Sequence, residues 1–418
     1  MKKILFIGIS LLSFLTFAEE EVEEIVVKGK VLYSDQVNAL KTPTAIVDVP
    51  QAVSIVTDED IRKQGIREIG DIVRYTPGVN TSQGEGHRDA VVFRGVRSTA
   101  DFFQDGARDD VQYYRSLYNV EQVEVLRGPN ALLFGRGGTG GIINRVTKKA
   151  SVGENFGSFD FGADDFGATD LAIDYNFDSG ENSALRINAH VDALENHRDF
   201  YDGDRTGFNP TLRVEISENT TLDLSYEYAD HERMIDRGIP TANGKPVEAL
   251  KDIVFGTSDI NIQTLEADIF RGSLTTDLSD TSKAVFSVTS SEFEKMYQNL
   301  YASGYDLATN VVTLDGYRDP TERENLIVSG NFINEIQVGS STHTILIGAE
   351  KVDTDNKNLR YDSYWTTTEK DKESFNVSRP LNIATNSAGV ATSVNFNTKL
   401  KSQTTSDIEV TSVYIQDQ

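Results

Sequence analysis

The chain has 418 residues and a formal net charge of −25, with 65 acidic against 40 basic side chains. That balance argues against a nucleic-acid partner, which favours a basic face. The absence of cysteine excludes disulfides and thiolate metal sites.

Met1 to Ala18 reads as a secretory signal, residues 1–18. Lys2 and Lys3 give its positive end, Ile4 to Phe17 its apolar core, and Ala18 a small residue before Glu19-Glu20-Glu21. The apolar run is shorter than the roughly 20 residues a membrane-spanning helix needs, so cleavage near Ala18 is expected. Glu23, Glu24, Ile25, Val26 and Val27 follow as a short β-prone segment in a polar tail, residues 19–43.

A small mixed α/β domain is expected over residues 44–150. Val53 to Val56 reads as a strand. Thr57 or Asp58 caps a helix with acids in its first turn, and Gly65 ends it. Ile69 to Tyr75 is a second helix, closed by Thr76-Pro77-Gly78. Val91 to Gly95 and Phe102 to Gly106 read as strands with turn residues after them. Val123, Val125 and Leu126 belong to a strand that stops at Arg127-Gly128-Pro129, and the glycines between Gly135 and Gly141 predict a tight connection.

Over residues 151–418 the apolar period becomes two. Leu171, Ile173, Tyr175 and Phe177 share one face, and so do Leu222, Leu224, Tyr226 and Tyr228. About ten such strands are expected before Gln418. Short turns at 178–182, 217–219, 279–282 and 339–341 alternate with long connections at 195–207, 230–266, 294–324 and 353–405. A sandwich or solenoid gives no reason for that alternation; an up-and-down transmembrane barrel does.

No enzyme site emerges. The five histidines are scattered, and the glycine-rich stretch lacks the ending of a phosphate loop. Asp199, Asp202 and Asp204 match no EF-hand and read as a solvated loop.

Several ordered motifs resemble one family. They are Asp48-Val49-Pro50-Gln51-Ala52-Val53-Ser54-Ile55-Val56, Thr76-Pro77-Gly78-Val79, Phe93-Arg94-Gly95, Asp105-Gly106 and the block from Val120 to Asn144. The stretch is similar to the plug domain of the TonB-dependent outer-membrane receptors that import ferric siderophores. Asp105-Gly106-Ala107-Arg108-Asp109, with the Gln-Tyr-Tyr-Arg run at 112–115, resembles their catecholate branch. The resemblance implies a plug inside an antiparallel barrel of about 22 strands, only partly present in this N-terminal part of a longer receptor. It makes Glu23 to Val27 the TonB box, which pairs by β-augmentation with a TonB-type energy-transducing protein. It places Arg88, Phe102, Phe103, Arg108, Gln112, Tyr113, Tyr114 and Arg115 at the siderophore, where arginines meet charge and aromatic rings meet catechols. It makes Arg94, Arg127, Arg136 and Arg145 plug–barrel struts. No catalytic group, resident metal or cofactor is expected, since iron arrives coordinated by the siderophore. Location in the outer membrane of a Gram-negative bacterium, in contact with its lipid, follows. The rival readings are a receptor for haem, cobalamin or an oligosaccharide, and a passive porin.

Overall fold

The structure is a computed structural model that describes residues 37–42, 44, 46, 49, 51–82, 85–128 and 138–418. The expected signal segment, TonB box and Arg136 lie outside the described residues.

The first unit is built on β1 (Ala52–Thr57), α1 (Asp58–Gln64) and α2 (Ile69–Arg74). Thr57 and Asp60 form a reciprocal capping box at the start of α1, which satisfies two orphan donors of its first turn. Gly65 ends the helix in the left-handed region at φ 61°, where a Cβ carries a steric penalty. β2 (Val79–Thr81), β3 (Val91–Phe93) and β4 (Val96–Ser98) form a small antiparallel sheet. β5 (Phe102–Gln104), β6 (Ala107–Arg108), β7 (Val120–Arg127) and β8 (Gly141–Thr147) join β1 in a five-stranded sheet of order β1-β7-β8-β5-β6. Only the β5–β8 pair is parallel. Ile69, Ile72, Val73, Val91, Phe93, Val123, Val125 and Ile143 close the core between helices and sheet.

The second unit is an up-and-down meander. Its strands are β9 (Phe156–Ala163), β10 (Thr169–Asp178), β11 (Ser183–Glu195), β12 (Asp202–Ser217) and β13 (Thr220–Met234). A short hairpin, β14 (Thr241–Ala242) and β15 (Lys245–Pro246), lies in the next loop. The meander resumes with β16 (Ile262–Ser279), β17 (Ser282–Asp306), β18 (Val311–Val338) and β19 (Ser341–Asp362). β20 (Tyr364–Trp365), β21 (Glu373–Asn376) and β22 (Val394–Asn395) belong to a loop, and β23 (Leu400–Asp417) completes the set. The path β9-β10-β11-β12-β13-β16-β17-β18-β19-β23 holds ten strands, with β21 attached to β18. Phe161, Phe177, Phe270, Phe286, Phe332, Ile347 and Ile415 are exposed on the outer face. Asn176, Arg186, Asn188, Asn209, Glu227 and Arg271 are buried on the inner one. Apolar side chains outward and polar ones inward is the pattern of a lipid-facing barrel wall. No described helix is long and apolar enough to cross a membrane.

Two of the long connections are partly strand. The expected loop over 294–324 is the outer half of the β17–β18 hairpin, closed by a turn at 307–310. The loop over 353–405 shrinks to 363–399 between β19 and β23. Polar residues that look like loop continue the period of two beyond the apolar band. Above the barrel, the loops carry a core of their own around Leu250, Phe255, Leu314, Trp365, Phe375 and Phe396.

Candidate functional site

At the end of the barrel that bears the long loops, the plug segment 85–90 meets the inward faces of β17 and β18. The alternation of β17 sends Lys295, Tyr297, Asn299 and Tyr301 inward, opposite Tyr317 and Asp319 of β18. The His87 ring stacks on Tyr297 at 3.6 Å and 14°. Tyr317 donates its hydroxyl to the Glu85 carboxylate at 2.7 Å, and Arg88 pairs with the same carboxylate. Gly86 lets the chain come this close. Its φ is 76°, and a Cβ there would lie 2.9 Å from the Asp236 carbonyl oxygen.

Arg237, from the loop after β13, donates to Asn299 Oδ1 at 2.6 Å and to the Tyr317 hydroxyl at 2.9 Å. Its guanidinium lies 4.6 Å over the Tyr301 ring. Arg360 of β19 lies 4.3 Å over Tyr317 and donates to Asp319 Oδ1 at 2.8 Å. The hydrogen bond from His87, with those from Tyr317 and Arg88, holds the Glu85 carboxyl well below its ordinary range against the cost of its burial. Burial pushes the His87 imidazole down to about 4, so it is neutral at pH 7. The result is a cup of half-buried guanidinium groups and tyrosine faces. Such a surface suits an anionic, aromatic ligand. Among the described residues no group of three or more His, Asp or Glu is placed to hold a metal ion.

Of the residues that the sequence assigns to the ligand, Arg88 lies in this cup. Four others sit inside the plug. Phe102, Phe103, Tyr113 and Arg115 are all at least 95% buried. Arg115 donates to Asp109 Oδ2 at 2.8 Å, to Asp89 Oδ2 at 3.4 Å, and to the carbonyls of Asp109, Val111 and Tyr113. It also lies over the Phe102 ring at 4.0 Å. Burial pushes the Asp109 carboxyl up, but Arg115 and Arg145 outweigh it and leave that group below its ordinary value. Dense arginine and tyrosine in sequence does not reveal which groups already own a partner; here two buried carboxylates claim the guanidinium. Arg108 is half-buried over Phe103 at 5.0 Å and donates to the Ala100 carbonyl. Gln112 donates to Thr99 and accepts from Lys295. Tyr114 packs under Arg233 at 4.2 Å, a contact between plug and wall.

Two of the expected struts, Arg127 and Arg94, are corrected as well. Arg127 reaches the Pro77 carbonyl at 2.9 Å, within the plug. Arg94 is exposed in a turn at φ 46°. Arg145 hydrogen-bonds to Gln104, Asp109 and Tyr113, all plug residues, but its charge also acts on Glu227 of β13, to which Gln104 donates at 3.0 Å, so it does bear on the wall. The described seam carries ion pairs of both polarities. Barrel arginines clamp plug carboxylates: Arg186 on Glu121 at 3.5 Å, Arg233 on Glu68 at 3.3 Å and Arg323 on Asp110 at 2.6 Å. Plug bases on barrel carboxylates run the expected way: Arg67 on Asp170, Lys148 on Asp174 at 3.1 Å, Lys149 on Asp223 at 3.5 Å and Lys41 on Glu350 at 3.5 Å.

Residues 45–142 match the TonB-dependent receptor plug domain. That segment belongs to the plug-domain family of the TonB-dependent receptors. The chain is 33% identical over 205 residues to a probable TonB-dependent receptor, BfrD, of Bordetella pertussis, covering 48% of this chain and 28% of that protein. Over 223 residues it is 28% identical to the catecholate siderophore receptor Fiu of Escherichia coli K12, covering 50% of this chain and 28% of the relative. The chain thus spans less than a third of either relative. The crystal structure of the siderophore receptor PiuA from Acinetobacter baumannii superposes with a TM-score of 0.79 at 22% identity. That match covers 92% of this chain and 57% of PiuA, and it shows the shared fold of plug and partial barrel.

Proposed function

We propose that this chain supplies the plug and ten wall strands of an outer-membrane receptor that binds and imports a ferric siderophore of the catecholate class. The observation that carries the reading is the cup at the plug apex, where Arg237 and Arg360 lie over Tyr301 and Tyr317 above Glu85, His87 and Arg88. A ferric catecholate is anionic and aromatic, and its iron is already coordinated. Guanidinium groups and ring faces suffice to hold it, and no protein metal ligand is required. The ligand can move the plug only through a difference in affinity between two plug states. Energy enters through the TonB box at Glu23 to Val27 and a TonB-type partner, in the outer membrane of a Gram-negative cell. A haem receptor is disfavoured because His87, the histidine at the apex, is buried on Tyr297.

The test is a fluorescence-quenching titration of the full-length receptor in detergent, with a ferric catecholate and a ferric hydroxamate side by side. Catecholate binding weakened about tenfold to hundredfold by Arg237→Ala is expected, since that removes one hydrogen bond to a charged group. Preference for the hydroxamate would discard the ligand class. Binding of neither would discard the siderophore reading.

A further inference from the structure

We propose that Asp319 is the positioning residue of the apex cup: its buried carboxylate holds the Arg360 guanidinium in the orientation that meets the anionic ligand. The proposal deepens the ligand reading above and rests on it. Three neighbouring strands place the residues concerned at one level. Tyr297 of β17 lies directly opposite Asp319 of β18, and β19 brings Arg360 to the other side of Asp319. Asp319 is 4% exposed. Its carboxylate accepts from Arg360 Nε at 2.8 and 3.1 Å and from Nη2. It is fixed in turn by the Tyr297 hydroxyl, which donates to Oδ2 at 2.6 Å. Tyr297 has little freedom of its own, because its face lies on His87 and its edge meets Tyr317 at 5.7 Å and 82°.

A negative charge in a cup for an anion works against the ligand, so what Asp319 contributes comes through the group it holds. Arg360 is fixed on two sides. Asp319 takes the Nε–Nη2 edge of its planar fork, and the Tyr317 ring takes one face at 4.3 Å. Nη2 also reaches the Tyr297 hydroxyl at 3.4 Å. Nη1 has no partner among the described residues, and the planarity of the group turns its two donors away from the carboxylate. The Arg360 side chain is 36% exposed, so a ligand can reach those donors. A free arginine samples many rotamers, and freezing them on binding costs affinity. Asp319 removes most of that cost before the ligand arrives. It also leaves the cationic character of the site in place, since the carboxylate is buried on one edge of the fork and the ligand approaches the other.

The probe is a ferric tris-catecholate, titrated into the full-length receptor in detergent. Asp319→Asn keeps the size of the side chain and an acceptor for Tyr297, and it removes one negative charge. Charge alone would tighten an anionic ligand; loss of positioning weakens it, and binding about tenfold weaker is expected. In an Arg360→Ala background the same substitution is expected to cause no further weakening, since nothing is left for Asp319 to aim. Asp319→Glu keeps the charge but displaces the fork, and it too is expected to weaken binding, which separates geometry from charge. Binding of Asp319→Asn at or above the parent affinity, or an equal weakening in both backgrounds, overturns the proposal. A second readout needs no siderophore. Modification of Arg360 by phenylglyoxal, followed by mass spectrometry, is expected to run about tenfold faster in Asp319→Asn than in the parent, and an unchanged rate overturns the proposal by itself. A parent that binds no ferric catecholate overturns the ligand reading instead, while the modification contrast still decides whether Asp319 holds the guanidinium.

Discussion

Arg115→Ala separates a ligand contact from an internal strut. The guanidinium is 1% exposed and joins two carboxylates, Asp89 and Asp109, and three carbonyls. Truncation leaves those carboxylates in the plug interior with fewer partners. Asp89 is already pushed up to about 6 by its burial, so it has little cationic support to spare. Breaking a buried ion pair by removing one partner costs about 3–5 kcal/mol. For a unit of the plug's size, about 1 kcal/mol shifts a melting midpoint by about 4–8 °C, so a drop beyond about 10 °C is expected. The assay is thermal unfolding of the full-length receptor in detergent, read on the plug by hydrogen exchange, with siderophore affinity measured well below the transition. Arg237→Ala serves as the contrast, because that side chain is half-buried in the cup and its loss acts on the ligand. If Arg115→Ala weakened binding while leaving the plug midpoint unchanged, the burial argument would be wrong and Arg115 would belong to the ligand.

His87 makes the plug acid-sensitive. Its folded pKa of about 4 lies below the ordinary 6.5, so the folded state binds fewer protons than the unfolded one in that window. Stability present above pH 6.5 is lost as pH falls towards 4, by about 2–3 kcal/mol at pH 4.5. Asp89, raised to about 6, acts with the opposite sign between 6 and 3.8; His87→Gln should therefore leave a plug midpoint that rises, rather than falls, on acidification from pH 7 to 4.5. On the outer face, Glu324 lies directly opposite Glu292 on one side and Asp355 on the other. Like charges facing each other across strands destabilise by about 0.2–1 kcal/mol, so Glu324→Gln should raise the barrel midpoint at low salt. The gain should fade at high ionic strength, and a midpoint unchanged at low salt would sink this account.

The fold was legible because its signals are periodic. Alternation marked the wall strands, and Thr57 and Gly65 marked the ends of α1. The outer halves of β17 and β18 were missed because their inward residues, Lys295, Tyr297, Asn299 and Tyr301, are polar or amphipathic. A count of apolar residues reads such a strand as loop, although the period of two continues through it. Those missed residues build most of the cup, whereas the sequence pointed to residues that the structure largely buries inside the plug. Arginine and tyrosine, the residue types that the sequence singles out, do line the cup. Which of them face a ligand depends on where carboxylates lie in three dimensions, and Asp89 and Asp109 are 26 and six residues from Arg115.

Strand β8 shows how two buried networks of the plug can share one element. Its alternation sends Arg145 to one face and Asn144 to the other. Arg145 enters the buried charge network with Asp109 at 2.9 Å and Tyr113 at 3.2 Å, and Arg115 carries that network to Asp89, two residues from His87. Asn144 donates to Glu124 at 2.9 Å and accepts from the Gly106 N–H at 3.1 Å. A displacement of the apex that moved β8 would thus bear on both networks, since adjacent residues of a strand cannot shift independently. Coupling of this kind needs a two-state element that both sites bias. Glu124 lies at the centre of the second network: without the Asn38 and Ala39 N–H groups its buried carboxylate would keep the Gln122 and Asn144 amides and lose the other donors, a change that costs free energy until water replaces them.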